Sequence, residues 1–157
     1  RGASVIYSVL GDHAPQTWVS DLISAQRTHP GVQWQVCLAH QLRDLQFAID
    51  AGDAVFAPVM KRLLLRALAI HKRRDTLAVS THYQYRLDIK RRLRRCLDLD
   101  PDQADGIRLR KRYEAIQQNL FLFLIQAEGK ACLTYKRLKW PSRGNHSFDL
   151  VEQLRSF

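Results

Sequence analysis

Between Thr17 and Asp50 the hydrophobic period of this chain changes, and that change constrains the fold more than any other feature. Two short apolar runs of β type, Thr17-Trp18-Val19 and Trp34-Gln35-Val36-Cys37, each lead into a helix-patterned segment. From Leu38 onward, Leu38, Leu42, Leu45 and Ile49 recur at helical spacing and predict one buried face, with Gln41, Asp44 and Gln46 off it. Strand runs that feed helices predict an α/β arrangement. Asp21 stands at the tip of the first run, and Cys37-Leu-Ala-His40 opens the helix after the second. An acid at a strand tip is where α/β enzymes present a metal ligand. Ser20 and Asp21 are also good helix N-caps, and capping is the plainer role for Asp21.

The chain on either side fits around that unit. Residues 3–10, ASVIYSVL, read as a buried strand, and Gly11–Pro15 as a turn. Gly52 predicts a helix C-cap, and Asp53 a cap for the next helix. Residues 54–125 read as nearly all helix, with three apolar stripes. Met60, Leu63, Leu64, Ala67 and Leu68 form the first; Tyr85, Ile89, Leu93 and Cys96 the second. Leu109, Tyr113, Ile116, Leu120 and Phe123 form the third, after a loop at Leu99–Asp102. From residue 126 the pattern changes, and 147–154 predicts a short helix. Trp18 and Trp34 read as core.

Composition excludes several classes. At 157 residues, 46% hydrophobic and 25% charged, the chain holds enough apolar material for one domain with a real core. No apolar run reaches the length of a membrane span. Cys37, Cys96 and Cys132 are widely spaced and odd in number, which is no disulfide framework and predicts a reducing cytoplasm. No CxxC pair is present, so the CxxH alone is a weak zinc signal. The chain opens on Arg rather than Met, which reads as a fragment, a processed chain or a gene truncated at its start.

The net charge of +10 is concentrated. Residues 61–95 carry twelve Lys/Arg against two acids, while the remainder carries thirteen of each. A localised excess of this kind is the footprint of a polyanion. The candidate contacts are Lys72, Arg73, Arg74, Arg86, Lys90, Arg91, Arg94 and Arg95. Residues 91, 94 and 95 fall close together on a helix and predict salt-sensitive binding to phosphates. The plainer reading is a solvated helical face. Tyr83 and Tyr85 beside the arginines either stack on bases or pack against a neighbouring helix.

Four stretches, taken together, resemble a known family. They are RGASVIYSVL, P-x-x-WVSDL-x-SAQ, WQVCLAHQLRDLQFAIDAGDAVFAP, and GIRLRKRY followed after five residues by NLFLFL. In this order they resemble the central domain of transposases of the insertion sequence 66 family, over about residues 1–125. The resemblance implies a DDE-type transposase with an RNase H-like core, a mixed sheet interrupted by a helical insertion. On that reading residues 1–52 are a partial core, 53–125 the basic helical insertion, and 126–157 a diverged tail. The fold class is then an α-rich α/β.

The resemblance also implies chemistry. Two Asp and one Glu hold two Mg²⁺ or Mn²⁺ ions, which serve phosphodiester cleavage and strand transfer. Carboxylates suit these hard cations. Asp21 matches the second catalytic Asp, and Cys37 with His40 the CxxH that comes after it. The first Asp belongs to a strand upstream of Arg1. The final Glu sits in an Asn-Asn-x-x-Glu-Arg motif, where this chain has AEGKACLTYKRLKWPSRGN. Neither Glu128 nor Glu152 takes that place. The expectation is a bacterial, cytoplasmic DNA-binding chain with an incomplete metal site, whose partners are transposon ends, target DNA and other copies of the transposase. Its rivals are a non-catalytic DNA-binding regulator derived from a transposase, and a nuclease that recruits a substitute Glu from the tail. For Cys37 and His40, metal ligation or DNA contact stands level with local packing. Arg43 either forms a local ion pair with Asp44, a pair that contributes little when exposed, or reaches a phosphate.

Overall fold

The computed structural model describes residues 17–22 and 33–125. The expectations for residues 3–10, Glu128, Cys132, 147–154 and Glu152 lie outside these.

Strand β1 (Thr17–Ser20) pairs in parallel with β2 (Gln33–Val36), in the register Trp18 opposite Trp34 and Ser20 opposite Val36. Past the end of β2, the Cys37 amide donates to the Ser20 carbonyl at 2.7 Å, extending the ladder by one bond. The Trp34 indole N–H donates to Ser20 Oγ at 2.8 Å, which ties the two strands by their side chains as well. Trp18 and Trp34 are both half-buried.

Helix α1 (Leu38–Asp50) starts directly after β2 and buries Leu38, Gln41, Leu42, Leu45 and Ala48. Gln41 therefore belongs to the buried face, contrary to the periodicity reading. The apolar stripe is wide enough to take in a polar position between Leu38 and Leu45. The helix closes as a Schellman turn. The Gly52 amide donates to Ile49, the Asp53 amide to Ala48, and Gly52 takes φ +103°, where a side chain would be strained. Asp53 then turns round to start the next helix, as its sequence position predicts. Its carboxylate accepts from the amides of Val55, Phe56 and Ala57 at 3.1, 3.2 and 2.7 Å.

Helix α2 (Phe56–Lys72) is the centre of the molecule. It packs against α1, α3 (Val79–Leu97) and α4 (Ala104–Ile116). Phe56, Met60, Leu64 and Ala67 are fully buried on it. Each large apolar side chain buried in this way contributes about 1.5–3 kcal/mol. A 3₁₀ turn at Arg74–Thr76 links α2 to α3. At the start of α4, Gln103 Oε1 accepts from the Asp105 and Gly106 amides, and its Nε2 donates to the Ala51 carbonyl at 3.2 Å. Two 3₁₀ turns, Gln117–Asn119 and Leu122–Leu124, end the described chain. They return it to β2: Asn119 Nδ2 donates to the Trp34 carbonyl at 2.8 Å, and Gln35 Nε2 to the Leu120 carbonyl at 2.9 Å. One hydrophobic cluster runs from Val36 to Leu124 and includes all three predicted helical stripes.

No helix among the described residues is long and apolar enough to cross a membrane. The architecture is an α-rich α/β one, with a small parallel sheet.

Candidate functional site

The parallel pair sets the position of Asp21. It is the first residue beyond β1 and lies at the carboxyl edge of the strands, the edge at which α/β folds bind ligands. It is in no helix and is half-buried. The first turns of α1 start from the same edge, because β2 leads directly into that helix. Asp21 and Leu22 therefore share a shallow cleft of about 230 Å³ with His40, Gln41, Arg43, Asp44 and Arg112.

Of the CxxH pair, only His40 lines this cleft. Cys37 is 4% exposed and belongs to the core behind it. His40 Nδ1 is buried and makes no hydrogen bond. Gln41 Oε1, beside it, is also buried without a partner.

Asp44 pairs with Arg112 of α4, not with Arg43 as its neighbour in sequence suggests. The bond spans 68 residues and fixes α4 against α1. It leaves Arg43 exposed at the cleft rim.

A divalent metal of the Mg²⁺ type needs several hard oxygen donors. Asp44 is engaged by a guanidinium, and no group of three or more His, Cys, Asp or Glu is placed to hold a metal among the described residues. The donor set among the described residues does not by itself fit a two-metal centre. Arg112 is engaged in the bond to Asp44, which leaves Arg43 as the exposed cation of the cleft beside Asp21.

The basic residues divide into two sets. Arg86, Lys90 and Arg94 are spaced four apart on α3 and form one line along it, with exposed Arg91 beside them. Tyr83 extends this line by one turn; it is 50% exposed, and the Arg86 guanidinium lies over its ring at 6.0 Å. Tyr85 turns the other way and packs against the core.

The second set faces a larger trough between α2 and α3, about 600 Å³ in volume. Arg73 and Arg95 line it, together with Arg62, Arg66 and Arg92, which were not among the candidate contacts. Their shared face is legible only once α2 and α3 are known to be antiparallel neighbours. Asp88 bonds both Arg66 at 3.2 Å and Arg92 at 2.8 Å. Burial pushes the Asp88 carboxyl up, but the bonds and charges of Arg92 and Arg66 outweigh it and hold it below its ordinary value.

Lys72 is exposed at the end of α2, and Arg74 is half-buried in the turn after it. Lys61, counted in the basic segment, is buried and donates to Gln46 Oε1, so it adds nothing to either surface. Burial lowers its ammonium, with the Asp50 charge acting the other way.

Comparisons with protein-family models, with curated proteins and with solved structures return no match to this chain.

Proposed function

We propose that this chain is a transposase-type DNA-binding protein. Its parent activity is DNA transposition by divalent-metal-dependent phosphodiester cleavage and strand transfer. Within that activity the described residues bind DNA and supply Asp21 as one of three carboxylates. The surrounding fold is then part of an RNase H-like core, with the α2–α4 helices as its insertion.

The observation that carries DNA binding is the line of Arg86, Lys90 and Arg94 along α3, with Arg91 beside it and an exposed tyrosine at its head. No acid interrupts it, because the helix's one carboxylate, Asp88, is engaged by Arg66 and Arg92. Cations spaced by one helical turn follow the phosphates of a nucleic-acid backbone, and a tyrosine adds a ring for stacking.

The test is an electrophoretic shift assay on duplex DNA across a salt titration. Four phosphate contacts give a log–log slope of about −3.6, and each Ala substitution at Arg86, Lys90 or Arg94 makes it shallower by about 0.9. No shift at low salt would remove the DNA reading altogether.

A second reading is a non-catalytic DNA-binding regulator derived from a transposase. It is favoured by the surroundings of Asp21, where no group of three or more His, Cys, Asp or Glu is placed to hold a metal among the described residues. Nicking of supercoiled plasmid separates the two. Mg²⁺-dependent nicking that Asp21→Asn abolishes supports the enzyme, and DNA binding without nicking supports the regulator.

A further inference from the structure

The trough between α2 and α3 is not part of the cleft at Asp21, and it faces away from the Arg86–Lys90–Arg94 line. Its floor is aliphatic, built from Val59, Leu63, Ile70 and Leu77, with Leu99 at one end and Tyr85 at the other. Val59, Leu77, Tyr85 and Leu99 are only half-buried, so the floor keeps apolar surface toward solvent. From Val59 to Arg73 the α2 wall runs about 21 Å, at 1.5 Å per residue, or some four turns of helix. Five arginines stand along the two rims: Arg62, Arg66 and Arg73 from α2, Arg92 and Arg95 from α3. Asp88 engages Arg66 and Arg92, while Arg62, Arg73 and Arg95 have no acidic partner among the described residues.

We propose that this trough is a docking site for an acidic amphipathic helix of a partner protein, its apolar stripe on the floor and its flanking carboxylates on the arginine rims. Apolar residues at i, i+3, i+4 and i+7 lie on one face of such a helix and match a long apolar floor. Acids on either side of that stripe meet cations on both walls, and guanidinium holds carboxylate in two-pronged bonds. A nucleic acid fits less well. Its phosphates gain nothing from an aliphatic floor, and Tyr85 is the one aromatic ring there on which a base can stack. The inference rests on neither the DNA reading nor Asp21.

Fluorescence anisotropy with the full chain tests it. The probe is a labelled helical peptide of about 18 residues, five turns, with Leu on one face and Glu beside it. The control is a peptide of the same composition with the Leu positions scattered around the helix. The amphipathic peptide binds at least about tenfold tighter than the control.

Ala69→Phe places a ring on the half-buried floor, and Arg62→Glu with Arg95→Glu reverses both rims. Each change weakens binding by about tenfold or more with the helical circular dichroism signal retained. If Ala69→Phe does not fold, the charge-reversed surface variant decides the question. Arg86→Glu with Lys90→Glu leaves peptide binding intact, which separates this site from the DNA face.

Equal binding of the two peptides would show charge attraction without docking and overturn the proposal. So would displacement of the peptide by a thymidine oligonucleotide of about 20 nucleotides whose own binding Ala69→Phe abolishes, which would give the trough to nucleic acid. Self-association that Ala69→Phe abolishes would place a second copy there, and would overturn it as well.

Discussion

Three buried residues carry more weight than their size suggests. Asp53 is 1% exposed and satisfies three amides that begin the central helix. Asp53→Ala strands those amides in the interior and is expected to cost about 2–3 kcal/mol, above an ordinary surface cap, read from urea midpoints. Gly106, on α4, lies against the same carboxylate: a Cβ there would come within 2.7 Å of Asp53 Cγ. Helix propensity alone makes Gly106→Ala stabilising by about 1 kcal/mol. The pinned carboxylate has no rotamer to retreat to, so the substitution is expected to destabilise by about 1–3 kcal/mol instead. A stabilising result would show that the α4–Asp53 contact is loose. Tyr113 is the opposite case. Its ring is fully buried against Phe56, at 5.9 Å between centroids, and its hydroxyl has no hydrogen-bond partner. Burial pushes that phenol well above its ordinary value. Tyr113→Phe keeps the packing, removes the orphaned hydroxyl, and raises the thermal midpoint or leaves it unchanged.

At the scale of elements, the junction of α2 and α3 is sensitive to acid. His71 near the end of α2 and His82 in the first turns of α3 are both held below the ordinary imidazole value, by burial first and by the Arg74 charge second. Arg86 adds to this at His82; at His71 the Asp75 charge opposes it and His82 reinforces it. His71 also meets the Phe123 ring edge-on at 5.2 Å. Both histidines thus favour the neutral form in the fold, while the unfolded chain protonates them near pH ~6.5. Below that pH the unfolded state takes up protons that the fold resists, so stability falls; above it the contribution of these groups is full and constant. Thermal midpoints measured from about pH 7.5 down to 5 are expected to drop, and His71→Gln to flatten part of that drop. The elements themselves were readable where local pattern decides them. The stripes at Met60–Leu68, Ile89–Cys96 and Leu109–Phe123 all enter the core, and Gly52 and Asp53 end one helix and begin the next, as their residue types require. Which way a polar residue faces was less readable. Gln41 and Lys61 are buried, the first within the width of an apolar stripe and the second by a partner fifteen residues away.

At the scale of the whole molecule, long-range polar bonds join the sheet and α1 to α4 and the 3₁₀ turns after it, and sequence spacing does not reveal them. Arg112 reaches Asp44, and Asn119 reaches the Trp34 carbonyl, across 68 and 85 residues. Asp21 and His40 share a cleft only because β1 and β2 are parallel neighbours, so the candidate site was legible as residues and not as a place. Gln35 is the strongest of these ties. It is 2% exposed on β2, and one amide group serves three bonds: its Nε2 donates to the Val36 and Leu120 carbonyls, and its Oε1 accepts from the Phe123 amide. Alternation along β2 sets Gln35 on the face opposite Trp34 and Val36, and that face is buried too, so Gln35→Leu puts an apolar side chain into an interior position. The substitution nevertheless leaves the Leu120 carbonyl and the Phe123 amide without their partners, a cost of about 1–3 kcal/mol for each group that stays dry. Leucine adds apolar contact but supplies neither a donor nor an acceptor. Gln35→Leu is therefore expected to lower the urea midpoint and to speed hydrogen exchange at the Phe123 amide more than at amides inside α2. Slower exchange at Phe123 with a raised midpoint would mean that apolar packing alone holds the 3₁₀ turns against the sheet.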